Sequence, residues 1–588
     1  GLNILWLYQA ITVPTDFHGY PLAGLTLRLA VTWWAEEAQI YVDGTLVQSG
    51  DLFECFTRIC LSSTVTPGQS FHVAIRLVSP GHDDGALVRS QLIYELPSSS
   101  PVPEPSFIAD ELEVLATLVP QSQPDIEIAL NNLDWTTLTQ NQSANDTSEN
   151  VLNLWQNLST ETTPQLIPAT IHPFQQSLSQ LRRTLKPFSE SIKAKSIQCI
   201  GHAHLDMAWL WPIADTWDAA ERTFKSVISL QKDFPELTYT HSSPALFEWL
   251  EHNRPELIAQ IQPKVAEGSW SIDAGLWIEP ELNIIGGEAI ARHILYGQRY
   301  CEEKFGQISK IAWLPDSFGF CWQLPQLLTQ GGIATFATLK LSWNDTTEFP
   351  HQLFWWQSPD GSRILSIMLP PIGTDINTVK MANHAAKWEN STNIPDILWL
   401  PGLGAHGGGP TRDMLEKSQR WQKSPFFPEI NFNTAQTYIN QLHGSDHRPG
   451  IEEAPVWKDE LYLELHRGFY TTHADQKQQY RQNEDLLYQA ETFATIAHLL
   501  AKIPYPKADL DTAWKKLLFN QFHDILPGTS IPEVFTEANR EWEQVKNIGE
   551  RVLNESLNAI AHQIAFPTPI QQNATHVLIF NSLSQPHS

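Results

Sequence analysis

The stretch Gly201-His202-Ala203-His204-Leu205-Asp206-Met207-Ala208-Trp209 has the residue types for metal chemistry. It follows the apolar run Ile197-Gln198-Cys199-Ile200, which reads as a buried strand. Its polar side chains therefore emerge at a strand end, where parallel α/β folds hold their ligands. His204 and Asp206 are two apart, and in extended backbone such residues point to the same side. One imidazole and one carboxylate can then address a single metal ion. On spacing alone a turn with a helix cap explains the same residues.

Three further stretches carry residues of this kind. In Ile311-Ala312-Trp313-Leu314-Pro315-Asp316-Ser317-Phe318-Gly319-Phe320 an apolar strand ends at Asp316, which reads either as a functional carboxylate or as the cap of a following helix. In Asn520-Gln521-Phe522-His523-Asp524-Ile525-Leu526-Pro527-Gly528-Thr529, the pattern Leu517, Leu518, Phe522, Leu526 predicts the last turns of a helix that Pro-Gly ends. His523 is then a core histidine or a ligand. Pro401 to Thr411 holds five glycines, giving backbone freedom near a ligand, without the lysine and spacing of a phosphate loop.

The elements that must position these residues follow from periodicity. From about 196 to 435, strand-like runs (Ile197–Ile200, Ile308–Leu314, Thr335–Leu339, Ile364–Met368, Ile397–Leu400) alternate with helical ones (Ala219–Gln231, Pro255–Glu267, Gly287–Glu303). That alternation predicts a parallel α/β layer or barrel. Upstream, short β-rich runs from about 25 to 95, with an Asp43-Gly44 hairpin signal, predict an N-terminal β-sandwich. Leu486, Ala490, Phe493, Ala497, Leu500 and Phe535, Ala538, Trp542, Val545, Val552 predict amphipathic helices of a bundle. His576 to Asn581 reads as the first strand of a C-terminal β domain that the chain cuts short. The expected organisation is a sandwich over 1–96, linker and wrapping helices over 97–190, an α/β catalytic domain over 191–440, a bundle contributing to the active site over 441–565, and that strand over 566–588.

Composition excludes some partners. Of 588 residues, 38 are Lys or Arg and 65 Asp or Glu, a formal charge of -27, so the surface repels nucleic acids and anionic membranes. The 22 tryptophans suit sugar stacking as well as core packing. Five scattered cysteines without a CxxC pair read as reduced thiols of a cytoplasmic protein. No apolar run is long enough to span a bilayer.

Taken together, GHAHLD, WLPDSFG, SWND followed by FPHQLFWW, GLGAHGGGPT, ELYLELHRGFYTT and NQFHDILPGT resemble, in their order, the motifs of family 38 glycoside hydrolases of the bacterial type. The likeness runs over roughly residues 25 to 588, and the ordered set is far more specific than any single motif. It implies a multidomain fold with a (β/α)7-type catalytic barrel and retaining, zinc-dependent α-mannosidase activity. His204, Asp206, Asp316 and His523 match the ligands of one Zn2+ per chain, a donor set suited to that ion. Asp316 also matches the nucleophile, and Trp209 the aromatic under the sugar. The implied partner is a mannoside or mannose-containing oligosaccharide, and family members often form homodimers, although no helix face here shows it.

One position departs from the pattern. Retaining chemistry needs an acid/base carboxyl about 5 Å from the nucleophile, and the family places it where this chain has Ala405. An engineered knockout, natural divergence, a one-residue register error, or replacement by His406, Asp375 or Asp345 each account for that. An acid/base-deficient mannosidase is favoured, with a loss of about 100- to 10,000-fold in rate. Further substrate-binding candidates are His351, Glu464, His466, Arg467 and Tyr470, whereas Glu279 and Glu281 read as structural. Two other classes stay open: a catalytically silent carbohydrate-binding protein, and a metal-dependent polysaccharide deacetylase using strand-end His and Asp ligands with an activated water.

Overall fold

The computed structural model describes residues 3–17, 20–51, 55–80, 84–97, 104–134, 171–404, 407–444, 449–565, 576–583 and 585. They form a multidomain protein of mixed sheets and helices, in two compact units.

The first unit takes in residues 1–202, 229–237 and 372–432. Strand Ser70–Val78 alternates buried and exposed positions because every second side chain faces one side of a sheet. It pairs antiparallel with Ile4–Thr12 on one side and Glu37–Val42 on the other, and Thr45–Gly50 completes that sheet. The hairpin between the last two turns on Asp43 (φ 49°) and Gly44 (φ 80°), the two left-handed residues that match strand twist. A second antiparallel sheet centres on Thr26–Trp34, flanked by Phe56–Ser62 and Ala86–Glu95. Leu27, Leu29, Val31 and Trp33 from this sheet share one apolar core with Ile40, Phe71, Val73, Ile75 and Leu77 from the other.

The same unit holds a parallel sheet in the order Asp396–Trp399, Ser196–Cys199, Glu429–Phe432, whose first two strands are buried along most of their length. Helix Arg412–Gln422, capped by Thr411, meets the N-terminal sheets through Arg28 to Glu416 at 3.1 Å and Arg58 to Asp413 at 3.7 Å. Glu111, fully buried on helix Pro105–Leu118, is satisfied by a two-pronged bond from Arg182 and by Ser424.

The second unit, residues 203–228, 238–371 and 433–588, carries the candidate site. Tyr239–His241 runs parallel to Trp270–Ile272, and Ile311–Trp313, Thr335–Thr338 and Arg363–Met368 form a second parallel set. Leu353–Gln357 joins the latter antiparallel. Helices Pro244–Asn253, Pro255–Glu267 and Gly287–Phe305 connect them, the last two ended by left-handed Gly268 and Gly306. Helices Ala474–Ala501, Lys507–Phe519 and Pro532–Ala561 follow, and their apolar stripes meet at Leu487, Ala490, Ala494, Leu517, Trp514, Trp542 and Val545.

Three expectations change. Leu500 lies on the exposed side, 61% accessible, because the buried stripe of its helix ends at Ala497. The run from Val577 to Phe580 is not a strand: it has no ladder partner among the described residues, and Phe580 instead packs edge-on against Phe493. The helix before His523 stops at Phe519, well short of Leu526, to which its apolar pattern predicts it would run. The backbone turns there because Glu281 N–H donates to Gln521 O at 2.9 Å and His523 N–H to Glu279 O at 3.3 Å. These long-range bonds replace the helical ladder. All five cysteines are free, and no helix among the described residues is long and apolar enough to cross a membrane.

Candidate metal centre and active site

Three chain segments converge in the second unit. The loop beyond strand Ser196–Cys199 delivers His204 and Asp206, whose Nε2 and Oδ1 lie 2.8 Å apart, as the two-residue spacing predicts. Strand Ile311–Trp313 ends just before Asp316, whose Oδ2 is 3.9 Å from His204 Nε2 and 3.6 Å from His523 Nε2. His523 Nε2 is also 3.3 Å from Asp206 Oδ1, and this buried nitrogen makes no well-directed hydrogen bond. One donor atom from each of the four residues lies within 4.8 Å of the others.

That spacing fits a metal ion. Tetrahedral donors at zinc–nitrogen and zinc–oxygen distances stand about 3.3 Å apart, and the four imidazole–carboxylate separations here, 2.8 to 3.9 Å, bracket that value. The charge balance agrees. Burial alone would lower the His204 pKa, but Asp206, Glu279 and Asp316 lift it to about 9. His523 is likewise raised well above the ordinary imidazole value, against burial, by Asp524, Asp206 and Asp316. A field that holds protons on two imidazoles attracts a dication in their place, with release of those protons. Asp316 is held well below the usual carboxylate range, against the upward push of burial, by His523, His204 and Lys340.

Three residues belong to the site that sequence reasoning did not put there. Glu279 is 4% exposed. Its Oε1 accepts the Asp316 and Ser317 amides, the latter at 3.1 Å. Its Oε2 faces His204 Nδ1 at 3.6 Å and His523 Nδ1 at 3.9 Å. The reading of Glu279 as merely structural is therefore corrected, because its carboxylate turns inward to the ligand cluster. Glu281, by contrast, accepts the amides of Asn283 and Ile284 and holds its own loop. Lys340, buried just after strand Thr335–Thr338, places Nζ 2.7 Å from Asp316 Oδ1 and over the rings of Phe318 (5.1 Å) and Trp343 (4.3 Å). Asp524 sets Oδ2 3.4 Å from His523 Nε2, and burial raises its pKa to about 7. The strand-end position of Lys340 and the adjacency of Asp524 to His523 were the available signals.

The remaining candidates divide. Trp209 is half-buried, edge-on to Trp211 at 5.8 Å, and its carbonyl accepts Ile531 N–H. His466, left-handed at φ 63°, packs at 4.6 Å on Phe318, whose ring lies 5.5 Å from His523. Glu464 spends Oε2 on the amides of Thr346 and Thr347 and the Thr346 hydroxyl, anchoring that loop. Arg467 pairs with Asp345 at 3.4 Å on an exposed surface. Tyr470 leans on Phe469 and lines a cavity of about 440 Å³ with Trp322, Asn283 and Glu460. His351 sits in an aromatic cluster with Phe349, Phe354 and Trp457. Asp375, proposed as a replacement acid, is paired with Lys417 at 2.7 Å. Ala405 and His406 lie outside the described residues.

Strand ends that deliver one imidazole and two carboxylates, joined by His523 from the turn after helix Lys507–Phe519, define an α/β protein with a site that could hold a divalent metal. Residues 194–460 match the glycosyl hydrolases family 38 N-terminal domain, and residues 464–560 the alpha mannosidase middle domain. Human Alpha-mannosidase 2C1 is 34% identical over 369 residues, 62% of this chain and 35% of that protein. Alpha-mannosidase of Saccharomyces cerevisiae is 35% identical over 362 residues, 59% of this chain and 33% of that one. The crystal structure of an alpha-mannosidase from Enterococcus faecalis V583 shares the fold, with a TM-score of 0.55 at 21% identity over 63% of this chain and 43% of that chain. The chain belongs to glycosyl hydrolase family 38. It spans about a third of the length of the curated relatives it matches.

Proposed function

We propose that the chain is the catalytic portion of a zinc-dependent α-mannosidase, hydrolysing α-mannosidic bonds of mannosides or mannose-containing oligosaccharides with retention. The observation that carries this is the division of Asp316: Oδ2 faces the two imidazoles, while Oδ1 is held apart by Lys340. His204, Asp206, Asp316 and His523 would hold one zinc ion, which supplies Lewis acidity toward neighbouring sugar hydroxyls when bound. Family membership sets the deacetylase reading aside. The (β/α)7-type barrel and the domain boundaries drawn from periodicity are part of the proposal, as is a cytoplasmic location, in keeping with five free cysteines.

The ionised Asp316 carboxylate acts as the nucleophile. One of its oxygens bonds to the anomeric carbon as the exocyclic C–O bond breaks, and water then displaces the carboxylate, leaving the configuration retained. The half-exposed Trp209 ring offers an apolar platform for the sugar. Ala405 carries no proton, so the leaving oxygen of an unactivated mannoside goes unassisted and the enzyme is acid/base-deficient. Ala405 also favours the second reading, a catalytically silent mannose-binding protein.

An aryl α-mannoside with a good leaving group separates the two, because it needs no acid assistance. The zinc-loaded protein should release the phenol, azide should accelerate turnover and give the α-mannosyl azide, and Ala405→Asp should raise activity on an unactivated mannoside at least 100-fold. No release with zinc present would overturn the hydrolase reading. No gain from Ala405→Asp would show that the acid/base position lies elsewhere.

A further inference from the structure

We infer that Glu279 is a positioning residue that locks three of the four candidate metal donors at once, orienting both imidazoles and the Asp316 carboxylate for the ion. The inference rests on the metal reading of the site. The two carboxylate oxygens of Glu279 do different work. Oε1 takes the amides of Asp316 and Ser317, which fixes the backbone from which the Asp316 side chain springs. Oε2 faces Nδ1 of His204 at 3.6 Å and Nδ1 of His523 at 3.9 Å, whereas Nε2 of each ring faces the other donors. The Glu279 carbonyl adds a third hold, standing 3.2 Å from His523 Nδ1 and accepting the His523 amide. Both imidazoles thus present Nε2 to the other ligands and Nδ1 to one residue.

This arrangement leaves Nε2 of each ring as the nitrogen turned toward the other donors. A metal-bound imidazole carries its proton on the nitrogen away from the ion, and an acceptor there fixes the ring and makes the donor nitrogen more basic. A carboxylate does this better than a neutral amide. Desolvation adds a reciprocal constraint, because a buried carboxylate is costly unless positive charge compensates it. The charges facing Glu279 are the two imidazoles and Asp316.

A bland role, tying the 279–281 loop to the 316–317 turn, predicts something different, and Glu279→Gln separates the two. The glutamine oxygen can still accept the amides of Asp316 and Ser317, but its NH2 would confront the Nδ1–H groups. In the full chain, zinc and cobalt affinity would be measured by chelator competition, with the cobalt visible spectrum and melting temperature of metal-free and metal-loaded protein. The expected result is a 10- to 100-fold loss of affinity, an altered cobalt spectrum, a smaller metal-induced rise in melting temperature, and a metal-free melting temperature near that of the parent. Affinity within twofold of the parent would overturn the inference and leave the metal reading intact. A parent that binds neither ion would overturn both. If Glu279→Gln does not fold, Glu279→Asp, which withdraws the charge by one methylene, carries the same test with a loss in the same range.

Discussion

Lys340→Met removes the cation from Asp316 while keeping a stem of similar length against Phe318 and Trp343. Nζ and Oδ1 are 2.7 Å apart, with the lysine side chain 5% and the aspartate 23% exposed. At an effective dielectric of 20 the pair attraction is about 6 kcal/mol. Water reaching the aspartate and desolvation of the lysine reduce this, and breaking a largely buried pair costs about 3 kcal/mol. The metal-free variant should therefore lose about 3 kcal/mol of unfolding free energy in urea, and less with zinc present, because the ion supplies a second attraction for the same carboxylate. Lost packing on the two rings contributes as well, so the charge effect is read from the cycle with Asp316→Asn. Lys340→Met should cost about 2 kcal/mol less on that background than on the parent. Equal costs on both backgrounds would refute the claim that Lys340 acts on Asp316 through its charge.

Two other perturbations probe the scaffold. Asp273 is buried and accepts from Ser271 and Thr240, and burial lifts its pKa from 3.8 to about 6. Its folded-state pKa being raised, its contribution is present below about pH 4 and lost as pH rises through 6, a span of about 3 kcal/mol. Urea titrations should show parent-minus-Asp273→Asn stability falling by about that amount between pH 4 and pH 7, whereas a flat difference would contradict the assignment. Gly297 allows helix Gly287–Phe305 to approach the loop leading to Glu279, since a Cβ there would stand 2.6 Å from the Leu276 carbonyl carbon and 2.8 Å from its oxygen. Gly297→Ala should cost about 2 kcal/mol and weaken zinc binding, both readable from melting curves and chelator competition. A variant matching the parent in both would show that the loop yields freely.

The parts of the site that were legible in the sequence are those set by local geometry. His204 and Asp206 share a side because residues two apart in extended chain do, and Asp316 lies where an apolar strand stops. His523 was legible as a residue but not as a conformation: its apolar neighbours continue a helical period, and only the bonds to the 279–281 loop turn the backbone away. Glu279 reads as turn chemistry because its task is shared among three distant segments. Lys340 carries only its strand-end position as a signal, and that does not tell that Asp316, 24 positions before it, lies 2.7 Å away. Periodicity also overran the helix face at Leu500 and proposed a strand at Val577 to Phe580, where pairing depends on a neighbour that a single run of sequence does not contain.

The claim that Asp316 is the nucleophile of a retaining glycosidase is most directly tested by trapping. The zinc-loaded protein would be incubated with an activated α-mannosyl fluoride bearing a second, ring-carbon fluorine that slows release of the sugar, then digested and its peptides sequenced by mass spectrometry. A single fluorinated hexosyl group on Asp316, lost on reactivation with azide and absent from Asp316→Asn, is the predicted result. A label on another carboxylate, or none while the activated aryl mannoside is still hydrolysed, would contradict it.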